Sequence, residues 1–325
     1  MHKSYETVPV GSIDPAYQRY RLGQPSFDVE NLKDAINRSG LIHPVVVKPV
    51  PEGKYGLVVG FRRYDAVKKL GHSHIDAIIL GPDEEWDEKK FDLECLKFAI
   101  TERSCQRPLD VFELLCAIER LKDHLDVQEI VAISPAVFNQ VLNPSIVRQY
   151  IRMAGLSENL RVLMSTGRLS VKPALMLSDI PTEQADVFGA VFSKISLSSS
   201  NQKDVIQLSL EISSRDKKPV KQIFSNDPFL QILKDDHLDP RAKGKKIKEM
   251  IAELRFPHLT QARNTFTKTC RSLGLSGRIQ LTPPKNFEGL DYSLSFQFQS
   301  LSEFESCLKK LDQLSGDEQF RRLFP

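Results

Sequence analysis

Residues 60 to 71 read GFRRYDAVKKLG, a glycine ending an apolar run and two adjacent arginines opening a helix-like one. The chemistry this suits is anion binding. The first N–H groups of a helix lack partners within it, and the helix dipole places partial positive charge at the same end. Arg62 and Arg63 add forked, charge-assisted hydrogen bonds to phosphate oxygens. Taken alone, a solvated basic turn capping a surface helix explains these residues equally well. A second constellation lies in PAVFNQVLNPSIVRQYIRMAGL, Pro135 to Leu156, which reads as two short helices meeting at Asn143-Pro144. The first packs through Val137, Phe138 and Val141. On the second, Ile146, Val147 and Tyr150 or Ile151 face a core, with Ser145 in the first turn. Ser145, Arg148, Gln149 and Arg152 are left exposed. Arginine and glutamine can make bidentate contacts to guanine and adenine edges in a major groove. A plain helical hairpin with solvated arginines is the alternative.

The elements that must position these residues are legible in outline. VENLKDAINRSG has apolar residues at helical spacing and stops at Gly40. A buried strand begins at Pro44 or Val45, PEGK turns, YGLVVG is a second strand, and HIDAIIL after the second helix is a third. From Phe91 to about Ser200 the pattern is helical, with Pro108 suited to a first turn. Serine- and charge-rich segments place a boundary at 213 to 222. Beyond it, helices and the alternating run DYSLSFQFQS indicate an α+β unit, with Tyr292, Leu294, Phe296 and Phe298 on one strand face. The expected class is α+β in three parts: a small α/β domain at 1–98, an all-helical domain at 99–212 and a C-terminal α+β domain at 222–325.

Bulk properties narrow the function classes. With 325 residues, 41% hydrophobic and 27% charged, the chain has the composition of a globular protein with several cores. No run is long and apolar enough to span a bilayer, and the N-terminus lacks a signal-like apolar stretch. The five cysteines are scattered without C-x-x-C spacing, which disfavours a zinc site or disulfide framework and points to a reducing cytoplasm. A net charge of +3 decides little, but charge is segregated: Arg148, Arg152, Arg161, Arg168 and Lys172 face a single acid, Glu158, between residues 145 and 172. RAKGKKIK at 241 to 248 is a second basic run, read as a solvated helix start.

Four segments in order then resemble the boxes of the ParB partition-protein family, N-P-x-Q-P-R, G-[IL]-x-Q-P, G-E-R-R and E-N-x-Q-R. Here they read DPAYQR at Asp14 to Arg19, GLIHP at Gly40 to Pro44, GFRR at Gly60 to Arg63, and ERSCQR at Glu102 to Arg107. The first and last are one residue out of step internally. Ser145, Val147 and Arg152 fall on the serine, valine and arginine of the family's recognition helix, and STGRLSVKPALMLSDIP is similar to the segment that follows it. The resemblance covers roughly residues 6 to 195.

That resemblance implies a ParB/sulfiredoxin-like fold joined to a helix-turn-helix domain. It implies binding of CTP or another nucleotide, with Gly40, Leu41, His43 and Pro44 near the base and Gly60, Arg62 and Arg63 on the phosphates. Glu102 would stand beside the triphosphate and its magnesium, and Gln18 lies in the box associated with hydrolysis. Ser145, Arg148, Gln149, Arg152, Arg168 and Lys172 would meet double-stranded DNA, with Arg161 on phosphates. A homodimer that works on a nucleoid or plasmid in the cytoplasm, with a partition ATPase as partner and no membrane, completes the expectation. Three departures weigh on it: Phe61 replaces the glutamate of G-E-R-R, His43 replaces a glutamine, and Arg103 stands where the family has an asparagine. A guanidinium cannot ligate magnesium, so binding is expected more than turnover. Two other readings stay open: a nucleotide-dependent enzyme or kinase on the same fold, and a nucleotide-free transcriptional regulator. Sulfiredoxin chemistry itself lacks its nucleophile, since no cysteine lies in Gly60 to Ala66.

Overall fold

The computed structural model describes residues 1–23, 29–275 and 278–323. The chain opens with strand β1 (His2–Pro9), followed by helix α1 (Glu30–Ser39), β2 (Val45–Val50), β3 (Lys54–Val59), α2 (Phe61–Lys69) and β4 (His74–Gly81). The sheet order is β1-β4-β2-β3. β2 and β3 form an antiparallel hairpin, and the return through α2 places β4 parallel to β2. β1 was not expected. It is an edge strand paired antiparallel with β4, and of its residues only Val8 is buried, so the sequence shows no apolar stripe. Val45, Val47, Leu57, Ile75 and Ala77 turn one face of the sheet towards Ile36 of α1 and Tyr64 and Val67 of α2. Val46 points to the opposite face, as the period of two requires.

Helices follow: α3 (Glu88–Gln106), α4 (Val111–Leu121), α5 (Val127–Val137), α6 (Pro144–Met153), α7 (Glu158–Ser165), α8 (Val171–Leu177) and α9 (Thr182–Phe192). Their starts are set by side chains. Asp87 caps α3, Asp110 with Glu113 and Asp126 with Glu129 form capping boxes on α4 and α5, and Asn143 accepts from the Ile146 amide at the start of α6. Pro108 therefore lies before α4, not in its first turn.

The first helix of the expected pair at 135 to 142 is corrected to α5, which ends where that pair was to begin. Pro135 sits in the last turn of α5 instead of opening a helix. Its missing amide leaves the Val131 carbonyl without its usual donor, and the Ser134 hydroxyl donates to that oxygen at 2.8 Å. The same hydroxyl accepts from the Leu142 amide at 3.0 Å and pins the turn into α6. Val137 and Phe138 are buried as expected, but Val141 is 78% exposed because it lies in that turn.

The chain divides into two compact units, 1–203 and 204–325. The division falls inside helix α10 (Ser199–Asp216) and not at 213 to 222, because the serine-rich stretch there is helical. The second unit continues with α11 (Val220–Phe224), α12 (Asp227–Lys234), α13 (Pro240–Arg255), α14 (Pro257–Ser272), β5 (Ile279–Thr282), β6 (Ser293–Phe296), α15 (Leu301–Ser315) and α16 (Glu318–Arg321). β5 and β6 are antiparallel, and Cys270, Ile279, Cys307 and Leu314 form the core beneath them. β6 is shorter than the alternating run: Phe298 lies beyond it, half exposed, against the rings of Phe296 and Phe304. RAKGKKIK is a helix start capped by Asp239, in which Lys243 is buried and reaches the Leu233 carbonyl. Class and helix–strand pattern are α+β, as expected, and among the described residues no helix is long and apolar enough to cross a membrane.

Candidate nucleotide cavity and DNA-facing helix

A cavity of about 660 Å³ opens in the first unit over the sheet face that carries Val46, Val58 and Ile78. The start of α2 forms one side with Gly60, Phe61, Arg62 and Arg63. One face of α3 forms another, with Phe98, Glu102 and Gln106 at successive four-residue intervals and Arg103 beside them. His43 and Pro44 close the end next to β2, while Tyr20 and Arg21 enter from the segment after β1. An apolar floor with guanidinium groups at the rim suits an anionic ligand that carries a flat, partly apolar part.

The geometry at Gly60 is demanding. Its φ is +100°, and a Cβ there would lie 2.9 Å from Val45 Cγ1 and 3.2 Å from Arg63 Nε. Only glycine lets the strand turn into α2 at this angle. Arg63 then folds back, donating to the carbonyl oxygens of His43 at 3.0 Å and Pro44 at 2.8 Å, with Glu102 at 3.9 Å. Burial pulls the Arg63 pKa down, and the Glu102 carboxylate opposes the change. Arg63 thus ties the 43–44 loop to the helix start. Gly40 and Leu41 do not line the cavity: Gly40 ends α1 at φ 72°, and Leu41 packs on the sheet core.

The rim opposite α2 is an ion cluster centred on Glu113, which is 3% exposed. Arg103 donates from Nε at 2.8 Å, Arg107 donates to both carboxylate oxygens at 2.8 and 2.9 Å, and the Asp110 amide adds 3.0 Å. Burial pushes the Glu113 carboxyl up, but the hydrogen bonds from Arg107, the Asp110 amide and Arg103 outweigh it and hold it below the usual carboxylate range. Glu102 accepts from Gln106 at 2.6 Å. Glu113, Phe98 and Gln106 were missed from sequence. The period from Glu102 would have found the last two.

A second buried carboxylate, Asp92 of α3, fixes the segment that carries Tyr20 and Arg21. Arg19 donates to it from Nε at 2.8 and 2.7 Å, the Tyr20 hydroxyl also donates, Lys48 Nζ lies at 3.8 Å and His124 Nε2 at 3.2 Å. Burial raises the Asp92 pKa, but the bonds from Arg19 and Tyr20 with the charges of Arg19 and Lys48 leave it lowered. Burial pushes the neighbouring Cys95 thiol up to about 12. Gln18 is not brought to the cavity wall. Its amide donates to the Pro15 carbonyl at 2.6 Å and its oxygen faces Arg21 at 3.2 Å.

On α6, Val147, Tyr150 and Met153 are buried, Ser145, Arg148 and Arg152 are exposed and Gln149 is half-buried. Arg152 is ion-paired with Asp179, and Arg168 donates to the Ser193 carbonyl, while Lys172 lies exposed on α8. Arg161 differs from the expectation. It forms a two-pronged pair with Glu119 at 2.9 and 2.6 Å and braces α7 against α4.

Residues 2–93 match the family model for the ParB N-terminal domain. That segment is a ParB N-terminal domain. The probable chromosome-partitioning protein ParB of Vibrio cholerae is 24% identical over 182 residues, 54% of this chain and 56% of that protein. A nucleoid occlusion protein of Geobacillus is 39% identical over 72 residues, 22% and 26% of the two chains. That of Bacillus licheniformis is 26% identical over 227 residues, 68% and 75%. The chain therefore spans about half and about a quarter of the length of the first two of these relatives. Among solved structures, a C-terminally truncated ParB from Caulobacter crescentus complexed with CTP-γ-S is 20% identical, covers 57% of this chain and 98% of that one, and has a TM-score of 0.27. A pNOB8-like ParB N-domain is 16% identical at a TM-score of 0.38, covering 77% and 97%.

Proposed function

We propose that this chain is a ParB-type DNA-binding protein of chromosome or plasmid partition, in which a nucleotide in the N-terminal cavity controls the hold of the helical domain on double-stranded DNA. The observation that carries the reading is the convergence of residues 43–44, 60–63 and 98–106, far apart in sequence, around one arginine-rimmed cavity with an apolar floor. Gly60, Arg62 and Arg63 would take the phosphates, with His43 and Pro44 nearer the base. Gly40 and Leu41 would shape that loop from outside. CTP is the nucleotide that the family resemblance implies.

The DNA-facing group would be Ser145, Arg148 and Gln149 on α6, with Arg152, Arg168 and Lys172 on the backbone. The exposure of Arg148 and Lys172 supports this, and the Ser134 bridge from α5 gives α6 a rigid presentation. A homodimer closing on DNA as a clamp, served by a partition ATPase and associated with a nucleoid or plasmid, follows from the same reading. The position of Gln18 away from the cavity wall supports binding over hydrolysis.

Calorimetry with CTP, ATP and GTP, paired with DNA-site selection on the same preparation, tests the reading. CTP binding that is lost in Arg62→Ala, and that changes the lifetime of the protein on a selected site, is the expected result. Tight ATP binding with no effect on DNA would favour a phosphotransferase on this fold. Site-specific binding without any nucleotide response would favour a plain regulator.

A further inference from the structure

We infer that the cavity takes its triphosphate ligand without magnesium, the guanidinium of Arg103 supplying the positive charge that a metal ion would otherwise bring. This rests on the reading of the cavity as a nucleotide site and specifies the ionic form that enters it. Magnesium keeps an octahedral shell of hard oxygen ligands, is reluctant to lose water, and is held in nucleotide sites by one or two carboxylates beside the phosphates. Among the described residues the cavity wall has two carboxylates, Glu102 and Glu113. Each has an arginine guanidinium beside it, which disfavours a dication at the same place. Glu113 is enclosed by Arg103, Arg107 and the Asp110 amide, and it cannot turn to a metal without breaking that cluster. Glu102 has one oxygen already receiving the Gln106 amide at 2.6 Å with Arg63 at 3.9 Å. No group of three histidine, cysteine, aspartate or glutamate side chains is placed to hold a metal among the described residues.

The charge on the wall points the same way. Arg21, Arg62, Arg63 and Arg103 stand against those two carboxylates, an excess of two positive charges before any ligand enters. A dication brought into this setting is repelled, and the repulsion grows as solvent is displaced. A metal-free triphosphate carries more negative charge than its magnesium complex, so the arginines attract the free anion more strongly. Arg103 is suited to the role because its partner Glu113 holds the guanidinium at the rim, about 39% exposed and reachable by a phosphate.

Titration calorimetry of the full chain with CTP, once in EDTA and once in excess magnesium chloride, tests this, with inorganic tripolyphosphate as a second probe. CTP should bind roughly tenfold more tightly in EDTA than in excess magnesium, which draws the nucleotide into its metal complex, and Arg103→Asn should weaken the EDTA affinity roughly tenfold. Arg103→Lys keeps the charge and the Glu113 partner, and should keep binding in EDTA even if the asparagine variant folds poorly. Binding of CTP as tight in magnesium as in EDTA, or tighter, would overturn the inference while leaving the nucleotide reading in place. Tripolyphosphate bound in EDTA with no nucleotide bound would support the metal-free anion site and remove the nucleotide. Silence of both probes in both buffers would overturn both.

Discussion

Arg103 on α3 and Glu113 on α4 meet at the cavity rim, with Nε and Nη2 of the arginine 2.8 and 2.7 Å from the same carboxylate oxygen. Glu113 also closes the capping box that starts α4 and binds Arg107 in the turn before it. One buried carboxylate therefore sets where α3 ends, where α4 begins and where the Arg103 guanidinium stands. A ligand that draws Arg103 towards itself would pull on the first helix of the array that carries α6.

Glu113→Gln should destabilise the chain by about 2 kcal/mol, as expected when a buried acceptor of charged donors is lost and two partly exposed arginines recover some hydration. Urea unfolding at neutral pH measures this. The variant should also lose affinity for CTP, since Arg103 is no longer held. A glutamine that left both stability and affinity unchanged would show the cluster to be ornamental.

Acid should unfold the protein earlier than its charge alone suggests. Asp92 and Glu113 are both held below their ordinary pKa in the folded chain. In the unfolded chain they protonate near pH 4. Each therefore adds stability above about pH 4, and that stability is lost as pH falls through the lower folded value. Unfolding free energies from urea titrations at pH 7, 5, 4 and 3 (chosen about the unfolded pKa) should fall below about pH 4. The fall should be shallower in Asp92→Asn, which starts from lower stability at pH 7 because Arg19 and Lys48 lose their partner.

What sequence alone revealed here divides by range. The turn at Gly60 and the arginines that open α2 are local, a strand end and a helix start, and twelve consecutive residues suffice to read them. The exposed face of α6 was readable for the same reason. Glu113 was not, because its arginines lie six and ten residues away and meet it only when α3 and α4 pack. β1 was hidden because an edge strand with one buried residue has no apolar stripe. Pro135 was misread as a helix start because the hydroxyl that excuses it late in α5 belongs to an ordinary serine. Gln18 matched a motif, but its own backbone holds its amide away from the cavity.

Gly60→Ala should abolish nucleotide binding while costing roughly 1–3 kcal/mol of stability. The added methyl meets Val45 at 2.9 Å in a left-handed backbone that alanine adopts poorly. Relief requires moving the start of α2, and Arg62 and Arg63 move with it. Calorimetry with CTP and thermal unfolding on the same sample separate the two effects. A stable variant that bound CTP normally would show that the turn does not position the arginines.

Arg148 and Lys172, two exposed cations of the helical domain, should fail differently. Arg148 is exposed on α6, and if the proposed reading holds it meets a guanine edge, so Arg148→Ala should cost about 1–3 kcal/mol on the preferred site and little on random DNA. Lys172 is on α8, where a phosphate is the expected partner, so Lys172→Ala should weaken both DNAs alike and reduce the salt slope by about one. Arg152→Ala would mix the two, because its pair with Asp179 is broken as well. Fluorescence anisotropy with specific and random duplexes across a salt series distinguishes these outcomes. If Arg148→Ala weakened both duplexes equally, α6 would be a backbone contact, and sequence reading would have to come from another surface.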